Sequence, residues 1–158
     1  MNVSLSVVCY DGCMSKEDFE YTVVEIDEFE VTATTLLFAF AAPVLALLIE
    51  QIVAEPWLVE EILKALVVTR ASYLDAKFLR VALLAGLLFG LSEAMLYVVN
   101  ASFLWSLEPI GWRLAFTVPM HALTALIFAY FSRGKGWWMV VGLSLAMAIH
   151  GMFNVIVG

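Results

Sequence analysis

The sequence is poor in charge. Asp, Glu, Lys and Arg make up only 15% of its 158 residues, where soluble domains carry about 25%. Basic residues are scarcer still: eight Lys and Arg stand against 15 Asp and Glu, for a net charge of −7. Nucleic-acid binding needs a basic patch, so no nucleic-acid partner is expected. Histidine occurs twice, at His121 and His150, too sparsely for an HExxH zinc site. The only cysteines are Cys9 and Cys13, in CYDGC. Structural zinc takes four ligands, so two cysteines alone make a poor zinc site; the pair reads as two reduced thiols around a Tyr-Asp-Gly turn, with a disulfide as the alternative if the segment is exported. No serine sits in a nucleophile elbow, and no His-Cys pair is evident. There is no internal repeat, no low-complexity tract, and no basic n-region leading into an apolar h-region, so no cleavable signal peptide is expected.

What the chain has instead is apolar sequence in long blocks. Hydrophobic residues make up 63% of it, and the mean hydropathy is +0.95. A bilayer span takes about 20 mostly apolar residues, and several such blocks are present. The expectation is an all-α, polytopic membrane helix bundle of about five helices. The bundle, residues 31–158, follows a small polar, acidic segment, residues 1–30. That segment reads either as strands around the YDG turn or as a helix capped at Ser15.

The expected helices cover 33–54 (with Pro43 inside), 57–73, 78–99, 113–131 and 136–157, and a loop RASYLDAKFLR follows the second. Arg70, Lys77 and Arg80 flank one loop, and Arg133 and Lys135 another. With five crossings both loops fall on one side, which the positive-inside rule assigns to the cytoplasm.

Four places break the apolar pattern: Glu60-Glu61-Lys64, Glu93, His121, and His150 with Asn154. Ionisable groups in spans cost several kcal/mol and by default mark function. Counted from the helix ends at about 1.5 Å per residue, all four fall in a slab roughly 6–12 Å below one surface. Structural polar residues scattered at random have no reason to share a depth. On the helical wheel Lys64 lies between Glu60 and Glu61 and can pair with either. His150 and Asn154 are one turn apart, as are Phe89 and Glu93. Gly86 and Gly90 give the third span a small face for close helix approach. Pro119, two residues before His121, is expected to loosen the backbone and make room for water. Two glutamates and two histidines can activate water and protonate a leaving amine. A histidine and an asparagine can donate to an oxyanion. This is the equipment of an amide hydrolase that uses neither a metal nor a covalent nucleophile.

The same residues resemble a known family. VEEILKAL resembles the EExxK motif of PrsW-type intramembrane proteases. GLLFGLSEAMLY resembles their FxxxE motif, from Phe89 to Glu93, with Tyr97 after it. Arg113, Pro119, His121 and Thr124 resemble the third motif, and HGMFN, His150 to Asn154, the closing HGxxN. The order and spacing agree over about residues 56–155. Ala94 departs from the pattern, since many members carry asparagine there.

That family belongs with the type II CAAX prenyl proteases and a gamma-secretase scaffold subunit. The resemblance implies that Glu60 activates water and that Glu61 is held by Lys64. It implies that Glu93 assists, His121 lines the site, and His150 and Asn154 stabilise the oxyanion. Phe89, Arg113 and Thr124 would support. It further implies no cofactor, membrane-anchored protein substrates such as anti-sigma factors, and the plasma membrane of a prokaryote. A catalytically silent scaffold of the same fold, or a proton-coupled transporter using Glu93 and His121 as a relay, are the alternatives. Transporters of that kind usually show internal repeats and more spans.

Overall fold

The computed structural model describes residues 27–50, 52–53, 55–102, 108–134 and 136–157. The readings of residues 1–26, including Cys9 and Cys13, lie outside these. The described residues build five α-helices and one 3-10 segment. In chain order these are α1 (Glu28–Glu50), α2 (Pro56–Arg70), the 3-10 segment Ala71–Lys77, α3 (Phe78–Ser102), α4 (Glu108–Ser132) and α5 (Trp137–Val157).

Four stretches are long and apolar enough to cross a membrane: Glu28–Ile49, Pro56–Val99, Leu114–Ser132 and Trp137–Val157. The second holds both α2 and α3. The 15 residues of α2 reach only about 22 Å at 1.5 Å per residue, less than the roughly 30 Å of a hydrocarbon core. The chain is an all-α membrane bundle in which the long helices span and α2 is a short insert.

The first helix begins earlier than its apolar pattern suggests. Asp27 Oδ1 accepts from the backbone N–H of Phe29 at 2.8 Å, and the Asp27 carbonyl from that of Val31 at 3.0 Å. An aspartate with acidic residues behind it is a strong helix start, so Glu28 and Glu30 belong to the first turn rather than to the polar segment. The helices also run without a break through Pro43 in α1 and Pro119 in α4, as membrane helices tolerate. The expected loop after α2 is a 3-10 segment, broken by a kink at Asp75, where φ is 36°.

Small residues set the packing. Gly86 and Gly90 on α3 face α4 so closely that a Cβ on Gly86 would lie 2.6 Å from the His121 carbonyl oxygen, and one on Gly90 2.8 Å from Val118 Cα. Ala39, Ala46, Ala82, Ala85, Ala125, Ala129 and Ala146 are all buried. Such faces let backbones approach where no hydrophobic force drives helices together. Leu37, Phe38, Val44, Leu45 and Leu48 of α1 point outward, as residues facing lipid do.

The short helix α2 touches all four of the others, whereas α1 meets neither α4 nor α5 among the described residues. The later turns of α2 enter an apolar core with Val68, Leu74, Phe78, Val81 and Phe128. Its first turns carry the ionisable groups. Arg133 Nη2 donates to the Asp75 carbonyl at 3.3 Å, and Lys77 pairs with Glu28. The two basic loops therefore sit at the same end of the bundle, opposite the ionisable groups.

Candidate functional site

Pro56 opens α2, and a first-turn proline suits a position whose N–H has no helical partner. One turn later come Glu60 and Glu61, then Lys64, and all three are buried. Their partners arrive from three other helices. The close glycine contact between α3 and α4 brings Glu93 against His121. The short α2 lies between α4 and α5 and meets Thr124 and His150.

Lys64 resolves the choice between the two glutamates. Its ammonium donates to Glu61 Oε1 at 2.5 Å and to Thr124 Oγ1 at 2.8 Å. It also sits 5.1 Å from the centroid of the Phe89 ring, within reach of a cation–π interaction. Glu61 Oε1 accepts further from His150 Nδ1 at 2.8 Å, and Thr124 Oγ1 stands 3.3 Å away. So Glu61 is the fixed carboxylate, tied by groups from α2, α4 and α5. Glu60 Oε2 lies 3.4 Å from the other nitrogen of the same imidazole, Nε2.

A second pair stands beside the first. His121 Nε2 and a carboxylate oxygen of Glu93 are hydrogen-bonded. Phe89 packs on the His121 ring at 5.1 Å between centroids, and the His150 ring meets it edge-on at 4.9 Å. The structure thus brings Glu60, Glu61, Lys64, Phe89, Glu93, His121, Thr124 and His150 into one contiguous cluster. All eight are buried, none more than 9% exposed. In a medium without water such groups are costly unless paired, and here the pairing runs through the whole set.

One expected residue lies outside this cluster: Asn154 is exposed. The physical reason is the length of α2. That helix starts at Pro56, and Trp57 packs on Gly151. Past this level α5 has little to bury against among the described residues: Met152, Val155 and Ile156 are 65–87% exposed. The side chain of Arg113 lies outside the described residues.

One residue near the site was missed from the sequence. Trp57 is half-buried, and a Cβ on Gly151 would lie 3.3 Å from its ring. Its indole N–H donates to Glu55 Oε2 at 2.7 Å. A signal existed: Trp57 lies one helical turn before Glu60 and Glu61.

Among the described residues, Glu60, His121 and His150 also form a possible metal-ligand set. One ligand atom from each lies within 4.8 Å of the others. The chemistry available is therefore that of carboxylates and imidazoles held in a buried, preorganised cluster. Comparison with family models, with curated proteins and with solved structures gives no match.

Proposed function

We propose that the protein is an intramembrane peptide hydrolase of the PrsW-like, glutamic type, which cleaves membrane-anchored proteins with water activated by Glu60. The observation that carries the reading is the contrast between two adjacent carboxylates. Glu61 is bound by Lys64, His150 and Thr124. Glu60 faces an imidazole nitrogen at 3.4 Å. His150 therefore reaches both carboxylates, and Glu60, placed at its Nε2 and outside the Lys64–Thr124 network, is the carboxylate positioned to act on a water together with that imidazole.

The reaction follows. Glu60 takes a proton from the water as its oxygen adds to the amide carbonyl carbon. The carbon–nitrogen bond then breaks, and the leaving amine takes the proton back from Glu60, yielding an acid and an amine. His150, oriented by Glu61, stays within reach of the same water. His121, fixed by Glu93, forms the adjoining wall. Proton transfer by such a group contributes about 10²–10⁴-fold to rate, and a preorganised, buried surrounding adds to it.

The test is cleavage of membrane-anchored reporter substrates by purified protein in lipid, wild type beside Glu60→Gln. Turnover by wild type that the variant loses is the expected result. Equal turnover by both rejects Glu60 as the base. A second reading, a silent scaffold of the same fold, is favoured by the completeness of the Glu61–Lys64–Thr124–His150 network, which would serve structure alone equally well. A folded wild type that cleaves nothing across a broad substrate panel selects it.

A further inference from the structure

The hydrolytic reading leaves one buried atom without a task. Among the described residues, His121 Nδ1 has no hydrogen-bond partner, in a residue that is 0% exposed. Glu93 holds the opposite nitrogen of that ring, as Glu61 holds Nδ1 of His150. A carboxylate accepts, so each ring donates from the held nitrogen and keeps its lone pair on the other. An imidazole fixed in this way by a carboxylate is the arrangement that usually stands behind a metal-binding histidine. Glu60 supplies a third donor, and one ligand atom from each of Glu60, His121 and His150 lies within 4.8 Å of the others. Two histidines and one carboxylate, with a further position open to water, make a known zinc donor set. Harder ions such as magnesium and calcium prefer sites made only of oxygen.

Among the described residues, Glu60, Glu61 and Glu93 are buried beside one ammonium, that of Lys64, so the pocket is rich in carboxylate oxygen.

We propose that Glu60, His121 and His150 form a binding site for one divalent transition ion of the zinc class, and that the ion reversibly shuts off hydrolysis by taking the Glu60 oxygen that would hold the water. The binding half stands on the geometry alone; the inhibitory half rests on the proposed function.

The test uses the full chain in lipid nanodiscs, stripped of metal with a chelator. Cobalt(II) is titrated in and followed by its visible absorption, and zinc by calorimetry, with magnesium as control. The expected result is one ion per chain, ligand-field bands of nitrogen–oxygen coordination, and no response to magnesium. Glu93→Gln, which releases the imidazole of His121, is expected to weaken binding by about 10–100-fold. His121→Ala is expected to weaken it further. A Cys9→Ser/Cys13→Ser double variant is expected to bind as wild type does. Should His121→Ala fail to fold, X-ray absorption of zinc-loaded wild type reads the ligands directly, with two imidazoles and no sulfur expected.

Absence of binding, a sulfur shell, or undiminished binding by folded His121→Ala overturns the site. Where stripped protein cleaves substrate, zinc is expected to stop cleavage at the concentration that fills the site, and chelator to restore it. Cleavage that requires the ion overturns the inhibitory half. Binding by a protein that never cleaves upholds the site and counts against the hydrolase.

Discussion

His150 bridges two consecutive carboxylates of α2. Its Nδ1 lies 2.8 Å from Glu61 Oε1, and its Nε2 3.4 Å from Glu60 Oε2. One imidazole thus joins the glutamate anchored by Lys64 to its neighbour Glu60, and the two differ in which nitrogen each faces.

Glu60→Gln is expected to lower peptide cleavage by about 10²-fold or more, the scale of a lost general base. The helical fold should survive, since the amide keeps the size of the carboxylate. Initial rates on a membrane-anchored reporter, with circular dichroism on the same preparation, check both halves.

Lys64→Met removes the ammonium bonded to Glu61. Breaking one side of a buried ion pair costs about 3–5 kcal/mol, and Thr124 loses a donor as well. Unfolding in mixed micelles should show a large loss of stability in this variant. The double change Lys64→Met with Glu61→Gln should recover part of it, because no unpaired carboxylate then remains.

Gly86→Val is expected to separate α3 from α4. Its Cβ would fall 2.6 Å from a backbone oxygen and 2.8 Å from Ala122 Cα, neither of which can swing away. Overpacking of this kind costs about 1–3 kcal/mol. The same shift moves Glu93 away from His121, so thermal stability and cleavage should fall together.

Asn154→Ala is expected to leave cleavage within about two-fold of wild type, since the loss of an oxyanion donor costs about 10²–10³-fold and this residue is exposed on α5. A drop of the larger size in kcat would put Asn154 at the reacting centre during turnover.

Much of this architecture was legible in the chain. Apolar blocks of span length gave the all-α membrane bundle, and ionisable residues inside them marked the buried cluster, because hydrocarbon leaves such groups few other ways to persist. The helical wheel limited Lys64 to two partners, Glu60 or Glu61. What selected Glu61 was Thr124 of α4, a tertiary contact 60 residues away in sequence. The exposure of Asn154 was hidden for a related reason. Helical periodicity gives a residue's direction but not where the neighbouring helix stops, and α2 ends its cover at Pro56. The start of α1 was misread because Asp27, Glu28 and Glu30 look like polar tail by composition, although they are good first-turn residues. The 3-10 segment at 71–77 carries no glycine or proline to announce it.

The shortness of α2 bears on how the protein is made. Fifteen residues holding Glu60, Glu61 and Lys64 are a poor passenger for the translocation machinery if handled alone. Joined through the 3-10 segment to the long apolar α3, they can enter as one arm of a hairpin. The carboxylates then wait for Thr124 and His150, which are synthesised later. Until α4 and α5 have been inserted, the charges of α2 lack their tertiary partners. The cluster is therefore completed only after α4 and α5 have been made, and a chain stopped before His150 would lack the imidazole that bridges Glu60 and Glu61.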